Sequence, residues 1–366
     1  MCHTVGSRAA RRAHGARESS SDLPAVEMRK IAVLNQKGGV GKTTTVVNLG
    51  ACLAELGQNV LLVDMDPQAN LSIHLGFETD RDDPGVYTLL RGEHSPEEAI
   101  RPTRQPGLSV IASNIDLAGL EVELSGMEDG RELRLRDAME GLEQRPDYLI
   151  VDCPPSLGLL TLNAMCAVDE LFIPLQTEFF ALQGLGRLTG TVDLVRSRLN
   201  PSLAITGIIP CMFDVRTSLA LEVLRDIKSH FGPMVFNTIV RKNVRLAEAP
   251  SFGVPITCYD DRCYGTDDYR SLAREVHAMP GRAMAEAVVE QEDAEPTPPA
   301  PEAERPCLLE EMMPELEVLL SPAAVPGRQA LPPAPPAAAP ADLPPWAAGS
   351  RDEDDGEEEE GLRRPA

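Results

Sequence analysis

Short apolar runs alternate along the chain with longer segments in which apolar residues recur at helical spacing. A continuous apolar run bounded by polar or turn residues predicts a buried strand of a parallel sheet. Apolar residues at positions i, i+3, i+4 and i+7 predict an amphipathic helix. The predicted strands are 31–34, 59–66, 108–112, 148–152, 171–175, 205–210 and 235–240, and the predicted helices are 46–56, 131–145, 157–168, 181–199, 218–231 and 267–279.

The alternation of these elements defines the expected fold class. Short connections between strands and helices predict an α/β fold, in which a parallel sheet is flanked by helices on both faces. Residues 72–107 show no clear period and are predicted to be irregular. Residues 29–280, about 250 in all, are enough to form one such domain.

A glycine-rich turn at residues 37–44 joins the first predicted strand to the first predicted helix. This arrangement makes a phosphate cradle, because glycines allow close approach and the backbone N–H groups point inward. Lys42 would reach the β and γ phosphates of a nucleotide, and the Thr43 hydroxyl would bind Mg²⁺. The ordinary P-loop spacing is not met, since its first glycine would fall at Gln36 and a second lysine, Lys37, opens the turn. The flanking strand and helix argue against the alternative of a merely flexible glycine loop.

Carboxylates follow two of the predicted strands. Asp64 and Asp66 end the second strand, and Asp152 ends the strand that begins at Tyr148. Ligands of open α/β sheets bind at the carboxyl ends of strands, although aspartates are also common turn formers there. An apolar strand ending in aspartate is the usual position of a magnesium-holding carboxylate downstream of a phosphate loop. The predicted nucleotide-binding residues are Gly38, Gly39, Val40, Gly41, Lys42, Thr43, Thr44 and Asp64, and the predicted metal ligands are Thr43 and, through water, Asp152.

Charge and composition separate the two ends of the chain from its centre. The net charge is -23, and residues 281–366 account for -14 of it, with 20 Asp and Glu against 6 Lys and Arg. This segment is predicted to be a disordered acidic tail rich in proline and alanine. Within it, 307–320 has helical spacing of apolar residues, which fits either a transiently ordered linker or a partner-docking motif. Residues 1–28 are predicted to be a disordered basic extension, either upstream of a true start at Met28 or an arm touching DNA or a partner.

Cysteine usage and the lack of targeting signals indicate the compartment. The eight cysteines form no C-x-x-C pair, and most lie in apolar runs, which is typical of buried reduced thiols. The sequence has no apolar run of about 18 residues and no secretory signal at its N-terminus. A reducing cytoplasm without membrane insertion is therefore expected.

Five segments carry a resemblance to a known family. They are residues 37–44, 63–68, 152–161, 174–182 and 243–251. In this order they resemble the deviant Walker A loop, the Walker A′ and Walker B segments and two signatures of the ParA/Soj family of partitioning ATPases, which are relatives of MinD. The similarity spans roughly residues 29–279 and implies a P-loop NTPase fold.

The resemblance implies an ATP-driven switch that uses ATP and Mg²⁺. Two subunits of a homodimer are expected to enclose two ATP molecules, with Lys37 reaching across to the partner's nucleotide. Asp66 matches the carboxylate that positions the attacking water, and Asp64 lies in the adjoining switch. The catalytic residues implied in this way are Lys37, Lys42 and Asp66.

The family also implies partners. ParA dimers bind double-stranded DNA without sequence specificity, and a ParB/Spo0J-type protein stimulates hydrolysis. Arg216 and Arg245 match arginines that contact DNA, and Arg241 and Lys242 lie beside Arg245. Such a patch would contact phosphates with an affinity that falls steeply with salt, whereas the alternative is solvated surface charge. A cytoplasmic, nucleoid-associated protein that does not bind membranes is expected. The segments around Met212 and Asn243 are candidates for adenine contacts.

Several positions depart from the family pattern. Ala69 stands where glycine is usual, and Arg241-Lys242-Asn243 replaces Pro-Arg-Asn. The sequence also differs from the family pattern at Asp261, Cys263, Tyr264 and Thr266.

Three functions other than partitioning are possible for a chain with these motifs. A membrane-positioning ATPase like MinD would have a C-terminal amphipathic helix with a basic face, which the sequence lacks. A metal-cluster relative such as nitrogenase iron protein would need a pair of cluster cysteines. An orphan ParA/MinD-like ATPase that positions another cargo has the same core motifs and stays open as the alternative.

Overall fold

The computed structural model describes residues 28–280, apart from residues 128, 179 and 215. The predictions made for the basic extension, the acidic tail and its short helix at 307–320 lie outside the described residues.

A seven-stranded sheet forms the centre of the described domain. Its strand order is β3-β4-β2-β5-β1-β6-β7, and every neighbouring pair is parallel except β3 and β4. The α/β prediction is confirmed, with one antiparallel strand added at an edge. The strands are β1 (Arg29–Val33), β2 (Val60–Asp64), β3 (Ile100–Pro102), β4 (Leu108–Ile111), β5 (Tyr148–Asp152), β6 (Glu170–Gln176) and β7 (Ala204–Cys211).

Helices cover both faces of this sheet. Alternate residues of β5 show the two-sided burial, since Leu149 and Val151 belong to one apolar cluster and Tyr148 and Ile150 to the other. The helices are α1 (Lys42–Glu55), α2 (Asn70–His74), α3 (Val86–Arg91), α4 (Pro96–Ala99), α5 (Leu117–Ser125), α6 (Arg134–Glu140), α7 (Leu159–Ala167), α8 (Ala181–Arg198), α9 (Ser218–Phe231), α10 (Val244–Glu248), α11 (Ile256–Tyr259) and α12 (Tyr264–Ala278).

Three predictions of secondary structure were wrong. Residues 72–107, predicted to be irregular, contain most of α2 and all of α3, α4 and β3. The helix predicted over 131–145 is only the short α6, because its first residues instead make a turn in which the Arg131 guanidinium donates to the Ser125 carbonyl at 2.7 Å. The strand predicted over 235–240 is reduced to an isolated bridge between Ile208 and Val235.

The reason for the lost strand is a competing carboxylate. The backbone N–H groups of Asn237 and Thr238 donate to the two oxygens of Glu275, at 2.7 and 2.9 Å. These amides therefore point toward α12. The segment still bonds to β7 at two points, where Phe236 N–H meets the Ile208 carbonyl and Val240 N–H meets the Pro210 carbonyl. It covers the sheet edge without continuing the sheet.

Within residues 28–280, as far as they are described, no helix is long and apolar enough to cross a membrane. The described cysteines are free thiols, and Cys52, Cys153, Cys166 and Cys211 are buried as predicted. Burial raises the pKa of the Cys52 thiol to about 12, which keeps it protonated and unreactive near neutral pH.

Candidate nucleotide site at the carboxyl ends of the strands

The predicted phosphate loop lies between the end of β1 and the start of α1. Gly39 and Gly41 have φ angles of 69° and 97°, in the left-handed region that favours glycine. A Cβ placed on Gly38 or Gly39 would meet no atom within 4 Å, so these glycines face open space. Side chains there would fill the space in which a phosphate would lie. The loop therefore has the shape that the sequence predicted.

Lys42 is the first residue of α1 and is largely buried. The residue is 7% exposed, and its Nζ makes a long contact of 3.5 Å to the Lys37 carbonyl. Burial lowers the pKa of Lys42, and the negative charges of Asp152 and Asp66 oppose that shift. A buried ammonium group with one weak hydrogen bond fits an anionic ligand in the loop.

The Thr43 hydroxyl meets the carboxylate at the end of β5. Thr43 Oγ1 donates to Asp152 Oδ2 at 2.7 Å. The second oxygen, Asp152 Oδ1, is buried and has no hydrogen-bond partner among the described residues. Burial and the neighbouring Asp64 carboxylate raise the pKa of Asp152 well above its usual range. A hydroxyl and an incompletely bonded carboxylate are hard oxygen ligands, so the site fits Mg²⁺.

The strand register places Asp64 directly beside Asp152, at the ends of β2 and β5. Asp64 is fully buried and is held inside its own chain. Its Oδ2 accepts hydrogen bonds from Ser72 N–H at 2.9 Å and Ser72 Oγ at 2.7 Å, and its Oδ1 accepts one from Asp66 N–H at 3.2 Å. Burial raises the pKa of Asp64 to about 6, although the bonds from Ser72 oppose this. Through these hydrogen bonds, Asp64 stabilises the loop that follows β2.

Asp66 lines the same cavity as the phosphate loop. This cavity has a volume of about 740 Å³, and its wall includes Gly38, Thr44, Asp66, Pro155 and Ile115. Asp66 is 6% exposed, and its Oδ1 accepts the Gln68 N–H at 2.9 Å. The structure thus brings the predicted water-positioning carboxylate to the predicted phosphate-binding residues.

Ala69 begins the turn into α2 with φ 52° and ψ 30°. This is left-handed backbone, which costs an L-residue with a side chain roughly 1–2 kcal/mol. The departure from the family glycine therefore has a local structural cost, three residues after Asp66.

Lys37 points away from the phosphate cradle of its own chain. Its Nζ donates to Gln176 Oε1 at 2.6 Å and to Glu178 Oε2 at 2.5 Å. The Lys37 side chain is 52% exposed. Gln176 also contacts the Met212 sulfur, and Met212 has the left-handed φ of 51°. Lys37 therefore lies at the rim of the site, where another molecule can reach it.

The candidate DNA-binding residues lie on two neighbouring segments beyond the end of β7. Phe213 pairs with Arg241, and the Lys242 N–H donates to the Phe213 carbonyl at 3.3 Å. Asn243, in a segment that is a candidate for adenine contacts, uses its side-chain oxygen to cap α10 by accepting the Arg245 N–H at 2.8 Å. The structure brings the predicted patch together in space.

Each arginine of the patch is paired with a carboxylate. The closest contacts are Arg216 with Asp214 at 2.6 Å, Arg241 with Asp268 at 2.6 Å and Arg245 with Glu248 at 2.8 Å. Arg241 also lies over the exposed ring of Tyr264, 4.6 Å from its centroid. The Lys242 side chain forms no ion pair with any described residue. The patch is therefore a mixed surface of both charges.

Sequence reasoning missed two buried serines, Ser72 and Ser113, that bond to the carboxylate loop. Ser113 follows the end of β4 by two residues, so the rule that pointed to Asp64 and Asp152 applies to it as well. Serine is common in turns and gives no signal by itself.

A phosphate loop that opens a helix, beside a threonine–aspartate pair at the ends of parallel strands, defines a P-loop nucleotide hydrolase. Comparisons with known proteins agree. A family model described as AAA domain matches residues 28–205. The chromosome partitioning protein ParA of Caulobacter vibrioides is 48% identical over 256 residues, which are 69% of this chain and 96% of that protein. The sporulation initiation inhibitor protein Soj of Bacillus subtilis is 49% identical over 248 residues, which are 68% of this chain and 98% of that protein. The chain belongs to the ParA/Soj family of partitioning ATPases.

Solved structures show the same fold. A cobyrinic acid a,c-diamide synthase from Mycobacterium smegmatis, with bound ADP and magnesium, matches with a TM-score of 0.60 and 36% identity, covering 69% of this chain and 94% of that one. The septum site-determining protein MinD of Pyrococcus horikoshii, complexed with Mg-ADP, matches with a TM-score of 0.56 and 25% identity, covering 69% and 97%. The P-loop NTPase fold implied by the sequence is confirmed.

Proposed function

We propose that the chain is a ParA/Soj-like switch that dimerises on ATP, binds DNA without sequence preference and is stimulated by a ParB/Spo0J-type partner. Its ATPase activity, with ATP and Mg²⁺ as cofactors, follows from its family. The observation that carries the proposal is the position of Asp66 in one cavity with the phosphate loop. The function that this arrangement supports best is that of an ATPase that drives chromosome or plasmid partitioning.

Nucleotide binding rests on three groups of the chain. Backbone N–H groups of residues 38–44 bind the phosphates at the start of α1, where the helix dipole favours negative charge. Lys42 supplies a buried positive charge to the same phosphates. Thr43 and Asp152 would hold Mg²⁺, the latter through the water that its unpaired Oδ1 can bind. Mg²⁺ in this position supplies charge neutralisation of the phosphates.

Hydrolysis depends on holding a water in line with the terminal phosphate. Phosphoryl transfer needs positioning and charge stabilisation more than covalent chemistry. Asp66 has one oxygen occupied by the Gln68 N–H, which orients its carboxylate toward the cavity. Its other oxygen is the group we assign to the attacking water.

Dimerisation would draw Lys37 away from its own chain. The ion pair between Lys37 and Glu178 is more than half exposed on both sides, so it contributes at most about 1 kcal/mol. A partner's nucleotide phosphates carry more negative charge than Glu178 and can compete for the ammonium group. Hydrolysis would then need two subunits, because Lys37 cannot serve the loop of its own chain from this position.

DNA binding would require a similar exchange at the basic patch. The side chains of Arg216 and Arg245 are 83% and 53% exposed, and exposed ion pairs are weak. Phosphate groups can therefore replace Asp214 and Glu248 as partners of the two guanidinium groups. Such binding would place the protein on the nucleoid in the cytoplasm.

An orphan ParA/MinD-like ATPase that positions another cargo is the second candidate. The observation that favours it is the carboxylate beside every arginine of the patch, which lowers the local positive potential. The two candidates differ in whether ATP creates a DNA-binding surface.

The test is binding of random-sequence duplex DNA, measured by fluorescence anisotropy at two salt concentrations with ATP and with ADP. The protein carries Asp66→Ala, which should hold the ATP-bound dimer. Adding Lys42→Ala should abolish binding, and adding Arg245→Ala should weaken it and reduce the salt slope by about 1. Arg104→Ala is the matched control, because Arg104 is exposed and precedes β4 at the opposite end of the sheet.

Binding that needs ATP, falls with salt and is lost with Lys42→Ala would support the partitioning switch. If ATP produces no binding, with or without residues 281–366, DNA is not the surface on which the ATPase works. The orphan alternative would then stand. An equal effect of Arg104→Ala and Arg245→Ala would exclude the proposed patch.

A further inference from the structure

Ser113 connects the end of β4 to the loop that carries Asp66. Its hydroxyl donates to the Asp66 carbonyl at 2.9 Å, and its N–H donates to Ser72 Oγ at 2.9 Å. Its carbonyl accepts the Thr79 hydroxyl at 2.6 Å. All three polar groups of this residue are therefore used inside the protein.

Ser72 extends the connection to the second carboxylate. Its hydroxyl accepts from Ser113 and donates to Asp64 Oδ2 at 2.7 Å. Both serines are almost fully buried, with exposures of 1% for Ser72 and 2% for Ser113. Water cannot replace either hydroxyl without a rearrangement of the loop, so these bonds have fixed directions.

The backbone of Asp66 makes two other hydrogen bonds, both to residues close in sequence: its carbonyl accepts the Ala69 N–H at 2.9 Å, and its N–H donates to Asp64 Oδ1 at 3.2 Å. Asp66 lies beyond the last residue of β2, and Met65 N–H, bonded to the Asp152 carbonyl, makes the last ladder bond before it. The strained Ala69 follows in the same loop. The Asp66 carboxylate accepts the Gln68 N–H. Ser113 is thus the side chain that ties this peptide to the neighbouring strand.

We propose that Ser113 is a positioning residue for ATP hydrolysis, which it serves by fixing the Asp66 peptide directly and the Asp64 carboxylate through Ser72. The inference rests on the proposed role of Asp66 in directing the attacking water. A displacement of about 1 Å at a group that orients a reactant can slow a reaction by about 100-fold. Nucleotide binding depends on the phosphate loop, which Ser113 does not touch.

A purely structural role predicts a different result. If the hydroxyl only stabilised the fold, Ser113→Ala would lower the melting temperature and leave the rate per folded molecule unchanged. A positioning role lowers the rate of ATP cleavage at unchanged nucleotide affinity. The two roles are separated by measuring the rate and the affinity on the same preparation.

The experiment measures single-turnover ATP cleavage, fluorescent-ATP binding and thermal unfolding of the full chain. Ser113→Ala should reduce the cleavage rate by about 10- to 100-fold and change the nucleotide Kd by less than about two-fold. Ser113→Thr keeps the hydroxyl and should recover most of the rate. Ser109→Ala, a serine of β4 whose side chain makes no hydrogen bond to a described residue, is the matched control and should behave as the wild type.

Ser72→Ala gives an independent variant in case Ser113→Ala folds poorly. It should also slow cleavage, and the double variant should lose less than the product of the two single losses, because both act on one carboxylate loop. A cleavage rate within about two-fold of the wild type for Ser113→Ala would overturn the inference. So would equal losses in Ser113→Ala and Ser113→Thr, or a loss of nucleotide affinity in step with the rate.

Asp66→Ala separates this failure from failure of the proposed function. If Asp66→Ala is inactive and Ser113→Ala is not, only the role of Ser113 is wrong. If Asp66→Ala cleaves ATP as fast as the wild type, the role of Asp66 is wrong, and the inference for Ser113 fails with it.

Discussion

Replacing His74 by glutamine should make the stability of the protein less sensitive to acid. His74 lies at the end of α2, is 2% exposed, and its Nε2 is buried without a hydrogen-bond partner among the described residues. Burial lowers the pKa of His74 to about 4 from its usual 6.5. Glutamine keeps a polar side chain at this position and cannot take up a proton.

The sign and size of the effect follow from these two values. The unfolded chain binds a proton at His74 below about pH 6.5 and the folded chain only below about pH 4, so folding is disfavoured as the pH falls through this window. Between pH 7 and pH 5 the loss amounts to about 2 kcal/mol. Asp64 has the opposite effect, because its raised pKa adds stability at low pH that is lost as the pH rises through about 6.

The assay is urea unfolding without nucleotide, followed by circular dichroism at about pH 7 and pH 5. The quantity compared is the change in the free energy of unfolding between the two pH values. Contributions of Asp64 and other groups cancel when the wild type is compared with His74→Gln. The wild type should lose about 2 kcal/mol more than the variant. His230→Gln is the control, because His230 is exposed and should leave the difference unchanged.

Equal pH dependence of the wild type and His74→Gln would refute the reasoning. It would mean that His74 is protonated in the folded protein, or reaches water, and that the burial of its ring does not control its charge.

Four further substitutions, one of them a control, test other parts of the structure by unfolding at neutral pH. Arg29→Ala should lower the free energy of unfolding by about 3–5 kcal/mol, because Glu170 is 2% exposed and would lose the guanidinium that it binds at 2.7 Å. Lys30→Ala breaks a more exposed ion pair and should cost less than about 1 kcal/mol; equal losses would contradict the argument. Ala69→Gly should stabilise the protein by about 1 kcal/mol in thermal unfolding, and a lower melting temperature would show that the left-handed turn is not strained. Gly207→Ala would place a Cβ 2.4 and 2.7 Å from two phenylalanine rings and should cost about 1–3 kcal/mol, whereas no loss would mean that the rings move freely.

The central strands could be predicted because burial on both faces leaves a continuous apolar run, as in residues 148–151 of β5. The antiparallel β3 has no such run, and only its pairing with β4 makes it a strand. Residues 235–240 have the run, but their amides bond to Glu275 on a helix that is distant in sequence. Local pattern cannot show which hydrogen-bond partner prevails when the competitor is brought in by the tertiary fold.

The same distinction between local pattern and tertiary contact applies to the residues of the candidate site. The phosphate loop and Asp152 could be predicted because their chemistry depends on residue type and position at strand ends. The carboxylates that pair with Arg216 and Arg241 come from different parts of the chain, Asp214 nearby and Asp268 from α12. The sequence indicated positive charge at these positions but not its neutralisation.

Both margins of the sheet are closed to strand addition. β3 is three residues long and ends in proline, which has no N–H to offer a visiting strand. At the other margin, the backbone N–H groups of Phe236 and Val240 already donate hydrogen bonds to carbonyls of β7. Among the described residues, the two sheet margins therefore offer little template for joining two copies into a continuous ladder, the route by which exposed edges produce aggregates. Under the proposed dimerisation, self-association at the end of the sheet where the nucleotide cavity opens would depend on what that cavity contains.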